Sequence, residues 1–237
     1  MYPSIESSVN EIMKANWEIT SGRVVPKTAD IVMKNGGRLL DATYAYADLG
    51  DSSKLAQSLK KEAAATIIRA FVNSSTRIFR HYGGEIRSFD GDRVMAIFIG
   101  DRMEWKAVRA AYAINWAVYS VIRPAIKTNW SDGENFHEIT HRVGIDTGES
   151  LVVRGGARDN NDLISVGAAP NIAAKLSDLK YGHSTYITDR VYEQLSDDLL
   201  YYEPAGLPLN CWSKLYQKIE IGGSHNIVYG SNISWEA

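Results

Sequence analysis

Cysteine is almost missing from this chain. Cys211 stands alone among 237 residues, which excludes an intramolecular disulfide and fits a reducing compartment. An excess of positive charge is missing too. Lys and Arg number 26 against 28 Asp and Glu, a formal net charge of -2, so no basic field exists to hold nucleic acid or an anionic membrane. A polyanion must therefore be gripped by a local site. No run of 18 apolar residues occurs, and the first twenty positions lack a basic-then-apolar signal pattern. These absences predict a soluble, cytoplasmic protein with neither a membrane nor a nucleic-acid partner. Internal repeats and low-complexity stretches are absent as well.

What is present suits one globular domain: 45% hydrophobic and 23% charged residues, with enough length for a substantial core. Residues 1–37 are weakly periodic and close on Pro26 and Gly36-Gly37; they read as a partly helical N-terminal extension ahead of a domain at 38–237. Leu39 to Asp48 is short, rich in Tyr and Thr, and alternates, which predicts a strand. Residues 52–81 carry Leu55, Leu59, Ala63, Ile67, Phe71 and Ile78 at helical spacing, with Ser52 or Ser53 as N-cap. Glu85–Phe89 and Arg93–Ile99 flank Asp90-Gly91, a tight-hairpin signal. A second helix is predicted over 102–123, then strands at His141–Thr147, Leu151–Val153 and Leu163–Val166, and a short helix after Gly167. The tail alternates short strands and turns around one small helix near Arg190. Strand, helix, hairpin, helix, strand is the split βαββαβ order of a ferredoxin-like α+β core, here with additional C-terminal strands.

Alternation puts Tyr44, Tyr46 and Asp48 on one face of the first strand. Asp48 ends that strand just before the chain turns into a helix, a place that suits a divalent cation carrying a polyphosphate. Alone, it reads as a turn or capping aspartate. Asp92 follows Asp90-Gly91 at the opening of the second hairpin strand. If the hairpin pairs beside the first strand, the two carboxylates converge, and such a pair repels unless a cation neutralises it. Downstream, Pro170 falls in a first helical turn, and Asn171 and Lys175 share a helix face. That pair offers an amide and an ammonium to a ribose and a phosphate; in isolation it is an exposed polar face.

In this order the segments resemble the catalytic domain of class III nucleotidyl cyclases. Tyr46-Ala-Asp-Leu49 is similar to the family's aromatic-Ala-Asp-Ile strand end, and residues 83–98 to its Gly-Asp hairpin. Val143-Gly-Ile-Asp-Thr-Gly148 is similar to its central strand, and residues 166–176 to its Gly-x-x-x-Asn-x-Ala-Ala-basic-Leu helix start. The resemblance covers roughly residues 38–230. It implies that Asp48, Asp92 and the backbone carbonyl of Leu49 bind two Mn²⁺ or Mg²⁺ ions. It implies that Asn171 orients the ribose while Lys175 stabilises the developing phosphoryl charge. A homodimer with shared sites is also implied, with the aspartates from one protomer and Asn171 and Lys175 from its partner.

Several positions depart from the family pattern. Lys175 stands where Arg is usual, and Gly50-Asp-Ser-Ser replaces Gly-Phe-Thr, leaving Ser52 and Ser53 to offer hydroxyls to phosphates. The late lysine of the family has no clean counterpart; Lys218 is near, but Ile221 aligns equally well. Ser88 and Ile164 occupy the two base-reading positions and match neither the adenine nor the guanine set. Tyr46 can stack on a base and shorten the pocket. These features are similar to the pyrimidine cyclases of bacterial Pycsar anti-phage systems, whose product acts on a separate effector protein. That resemblance points to UTP as substrate, with CTP as the alternative and a catalytically inactive, nucleotide-binding regulatory domain as the rival. Gly83-Gly84-Glu85 mimics a diguanylate cyclase turn, but Ile86-Arg87 follow in place of an acidic residue and Phe, which excludes that family.

Overall fold

The computed structural model describes residues 4–130, 138–157, 160–203, 206–221 and 224–237. An N-terminal helix α1 (Ile5–Lys14) leads to a short strand β1 (Glu18–Ser21), followed by one 3₁₀ turn at Thr28–Asp30 and the long strand β2 (Gly36–Gly50). Helices α2 (Ser52–Ser58) and α3 (Lys61–His81) precede the hairpin β3 (Glu85–Asp90) and β4 (Arg93–Phe98). A continuous helical rod follows: α4 (Met103–Trp116), a π segment (Ala117–Ile122) and α5 (Arg123–Asn129). Then come β5 (Thr140–Ala157), β6 (Asn160–Val166), α6 (Ala168–Ser177), β7 (Thr185–Thr188), α7 (Asp189–Tyr192) and α8 (Asp197–Leu200). The chain ends with β8 (Tyr201–Tyr202), β9 (Leu209–Asn210), β10 (Ser213–Ile221) and β11 (Ser224–Ser231).

The main sheet runs β10-β11-β7-β5-β2-β4-β3, with β1 also on β2 and β6 also on β5. Its central stretch, β5-β2-β4-β3, is the ferredoxin-like order, and β7, β11 and β10 extend it on the far side of β5. The α+β expectation with added C-terminal strands therefore holds. Among the described residues only β1 with β2 and β5 with β7 pair in parallel.

Period-two alternation along β2 divides the core. Ala45, Ala47 and Leu49 face the helices α3 and α4, in a cluster with Phe71, Phe79, Phe98 and Tyr112. Leu40, Ala42 and Tyr44 face the other way, toward Ala169 and Ala173 of α6. Side chains such as Phe71, fully buried, each contribute about 1.5–3 kcal/mol of hydrophobic stabilisation. Gly144 sets the distance between β5 and α6. A Cβ there would lie 2.2 Å from the Ala173 carbonyl oxygen and 2.4 Å from the Ser177 nitrogen, so only glycine lets the helix lie so close.

Three local readings are corrected. The helix over 52–81 breaks at Leu59, whose extended backbone (φ -112, ψ 159) separates α2 from α3. Its N-cap is Asp51 in the left-handed region, not Ser52 or Ser53. The strands expected at 141–147 and 151–153 are one 18-residue strand, because β2 pairs without interruption from Gly37 to Gly50.

Candidate active site

β2 reaches Gly50, where a Cβ would lie 2.2 Å from Thr140 Oγ1. Glycine keeps the strand flush against β5 to its last residue, and Asp51 (φ 55) then swings the chain into α2. This places Asp48 at the sheet's end, on the Tyr44–Tyr46 face as its alternation predicts. Across β4 the hairpin turns on Gly91 and Asp92, with positive φ at Gly91 alone, the pattern of a type II′ turn. The turn thus sits one residue later than Asp90-Gly91, and Asp92 is its second central residue. Ala47 pairs with Val94, so continuation of that register carries Asp92 and Arg93 alongside Asp48. On the other flank Asp48 pairs with Arg142 of β5.

The outcome is one cavity of about 640 Å³ lined by Asp48, Leu49, Ser52, Ser53, Asp92, Arg93, Arg142, Asp178 and Lys180, among others. The metal candidates Asp48, Leu49 and Asp92 and the hydroxyl candidates Ser52 and Ser53 all line it. Asp48 is half-buried, with 18% of its side chain exposed, and Arg93 Nε stands 3.3 Å from its Oδ1. The same guanidinium pairs with Asp178 through Nη2. Burial raises the Asp48 carboxyl above its ordinary pKa; Arg93 opposes this, and the charges of Asp92 and Asp178 add to it. Lys180 Nζ lies 3.2 Å from Asp51 Oδ1 at the rim.

Asn171 and Lys175 lie elsewhere. Both are exposed on α6, outside the lining of that cavity, and the Asn171 amide donates to the Gly167 carbonyl at 3.0 Å. Tyr46 is half-buried beside the α6-side core, and desolvation pushes its hydroxyl up to about 12, so it remains a neutral phenol. Ser88 donates to Met95 Sδ at 3.5 Å. Ile164 is 51% exposed on β6 and fills the space above Gly155. The side chains of Lys218 and Ile221 lie outside those described.

Sequence reasoning missed Arg93, Arg142, Asp178 and Lys180. Arg93 had a signal, a basic residue directly after a candidate metal aspartate. Arg142 had none, because only strand register brings it opposite Asp48. Among the described residues no three His, Cys, Asp or Glu side chains gather closely enough to cage a metal by themselves. No described helix is long and apolar enough to cross a membrane.

This fold, with a crowded acidic cavity at the end of the central strands, is that of class III nucleotidyl cyclase catalytic domains. An adenylyl cyclase of P. aeruginosa, CyaB, superposes over 82% of this chain and 95% of its own at a TM-score of 0.68 and 22% identity. A bacterial light-regulated adenylyl cyclase covers 86% of this chain and 54% of its own at 0.69 and 19% identity. Sequence relatives narrow the class. Uridylate cyclases of Rhodovulum sp. (strain MB263) and Xanthomonas perforans are 43% and 40% identical, each over 80% of this chain and 80% and 81% of their own length. A cytidylate cyclase of Staphylococcus aureus is 24% identical over 63% of this chain and 36% of its own. No protein-family model matches the chain. The chain belongs to the uridylate cyclase family and is a pyrimidine nucleotide cyclase.

Proposed function

We propose that the chain cyclises UTP to 3′,5′-cyclic UMP with release of pyrophosphate, using the cavity at Asp48 and Asp92. One observation carries this reading: two carboxylates and the Leu49 segment line the same cavity as Ser52, Ser53, Arg93, Arg142 and Lys180. An acidic pole beside a basic and hydroxylic wall is what a cation-bound triphosphate requires. The donor set fits hard divalent ions. It is all oxygen and half-buried, and burial, with the charges of Asp92 and Asp178 adding to it, pushes Asp48 toward protonation, a strain that a cation relieves.

Asp48, Asp92 and the Leu49 carbonyl would hold two Mn²⁺ or Mg²⁺ ions. When bound, these ions supply the acidity that favours loss of the 3′-hydroxyl proton and offset charge on the triphosphate. Arg142 and Lys180 orient the β- and γ-phosphates and favour departure of pyrophosphate, assisted by hydroxyls of Ser52 and Ser53. Asn171 and Lys175 lie outside this cavity in their own chain, so they serve the cavity of a partner protomer. There Asn171 orients the ribose and Lys175 meets charge developing at the α-phosphate. The active species is thus a homodimer with two shared sites.

Tyr46 stacks on the base as a neutral phenol, while Ser88 and Ile164 deny a purine its donor set. Relatives at 43%, 40% and 38% identity bear the name uridylate cyclase, which favours UTP over CTP. We read the product as a cytoplasmic messenger of anti-phage defence acting on a separate effector. Incubating the purified chain with Mn²⁺ and each of ATP, GTP, CTP and UTP tests the assignment. UTP is expected to release pyrophosphate and yield the cyclic nucleotide. Turnover of CTP or a purine alone would refute the base assignment, and turnover of none would favour an inactive nucleotide-binding domain.

A further inference from the structure

A second basic pocket lies beside the catalytic cavity. Its volume is about 330 Å³, and its lining includes Tyr119, His141, Arg142, Lys180, His183 and Ser184. Among the described residues no Asp or Glu belongs to that lining. Arg142 and Lys180 line both pockets, so an anion held by them can pass between the two without leaving positive charge.

The walls are built rather than incidental. Ser184 N donates to Asn232 Oδ1 at 2.8 Å, and Asn232 Nδ2 donates to the Gly182 carbonyl at 3.1 Å. The Tyr186 hydroxyl accepts from the backbone of Tyr181 and His183 at 2.8 and 3.1 Å, which fixes the loop carrying Lys180 and His183. Opposite stands Tyr119, presented by the π segment Ala117–Ile122, a distortion that recurs at functional sites. Its ring packs edge-on to His141 at 6.2 Å, and the Arg123 guanidinium sits over it at 3.9 Å.

Three ring nitrogens around this pocket have no hydrogen-bond partner among the described residues. They are Nδ1 and Nε2 of His141 and Nδ1 of His183. His141 is only 3% exposed. Buried polar atoms in folded proteins are nearly always partnered, and an orphan is destabilising. A neutral imidazole carries one N–H, so His141 holds a donor without an acceptor at this basic pocket, which points to a ligand that supplies one.

We propose that this pocket is a second phosphoanion site, contiguous with the catalytic cavity, that takes pyrophosphate or inorganic phosphate. The anion lies against Arg142, Lys180 and His183, and the imidazole wall at His141 adjusts to donate to it. The site stands on its own residues; only its link to turnover rests on the cyclase reading. In that link, pyrophosphate leaving the α-phosphate moves along Arg142 and Lys180 into the pocket, clearing the cavity for the next triphosphate.

The test is titration of the full chain with inorganic pyrophosphate, and separately inorganic phosphate, with a metal chelator present. The readout is the imidazole proton resonances of its five histidines. Signals of His141 and His183 are expected to move while those of His81 and His225 stay. His183→Ala is expected to weaken binding about tenfold, the loss of one charge-assisted hydrogen bond at a partly hydrated site. The more conservative His183→Gln recovers part of it. Tighter binding of pyrophosphate identifies the reaction product as the occupant; equal binding identifies any phosphoanion from solvent. If neither anion moves the His141 and His183 signals, or if His183→Ala binds as the parent does, the site is refuted. Intact anion binding with no nucleotide turnover would refute the cyclase reading and leave this site standing.

Discussion

The cavity at Asp48 and the exposed face of α6 both rest on β2 and β5 yet differ in almost every physical respect. The cavity gathers Asp48, Asp92 and the more exposed Asp178 around Arg93, with Asp48 and Arg93 half-buried. On α6, Asn171 and Lys175 are exposed, and the Asn171 amide donates to Gly167 at the start of its own helix. A crowded acidic half carries its own electrostatic reason to bind something, whereas an exposed amide and ammonium do not. Neither half alone has the complement that phosphoryl transfer needs. On the proposed reading the contrast is that of two half-sites, each to be finished by a second copy of the chain.

The largest expected effect breaks the acidic half. Asp48→Ala and Asp92→Ala should each lower UTP turnover by a factor on the order of 10³ or more, since both charge offset and alignment are lost. Thermal melting should show the fold retained, because Asp48 and Asp92 lie outside the hydrophobic clusters. Either variant retaining a tenth of parental turnover would refute the assignment. The next experiment joins the halves. Mixing Asp92→Ala with Asn171→Ala, each inactive alone, should restore about one quarter of parental activity once protomers exchange randomly. Half the dimers would then be mixed, each with one whole site. No recovery after verified exchange would place Asn171 and Asp92 in the same protomer's site.

A smaller effect sharpens how the sheet holds the two halves apart. Gly144→Ala drives a Cβ into the Ala173 carbonyl and the Ser177 backbone, and backbone cannot move aside as a flexible side chain does. α6 must lift from β5, at a cost of about 1–3 kcal/mol. Turnover should fall while the Asp48 cavity still binds Mn²⁺, as read by paramagnetic resonance. Unchanged turnover would mean that the position of α6 does not govern the site.

Much of this architecture was legible before any coordinates. Alternation in residues 39–48 put Tyr44, Tyr46 and Asp48 on one face, as found, because period two is fixed by strand geometry. The order of elements gave the ferredoxin-like core. Less legible was anything depending on pairing between distant segments. Gly148-Glu149 looks like a turn between two strands, but β2 pairs straight across it at Ala42 and Asp41, and that partner overrides the local signal. Arg142 entered the cavity by the same register. Leu59 continued a helical pattern, yet its backbone is extended there, and periodicity alone did not show the break. The orphaned imidazole of His141 was invisible for a related reason. A histidine opening a strand says nothing about which hydrogen-bond partners the core will withhold.

That histidine yields the smallest prediction, and it separates the core side of the cavity wall from the solvent side. His141 pairs with Leu49 in register and lies between Phe71 and Tyr119. Burial, with Arg123 and Arg142 nearby, lowers its pKa from 6.5 to about 3. The folded chain therefore keeps it neutral where the unfolded chain takes up a proton. Stability from this residue is complete above pH 6.5 and declines as pH falls from there toward about 3, by up to ~1.4 kcal/mol per pH unit. Between pH 7 and 5.5 the parent should lose about 3–5 °C of melting temperature from this source. His141→Leu, which suits an apolar position opposite Leu49, removes the proton acceptor and should flatten the acid limb by that amount. Identical pH slopes in parent and variant would mean that the imidazole accepts a proton inside the folded chain, against the desolvation its surroundings impose.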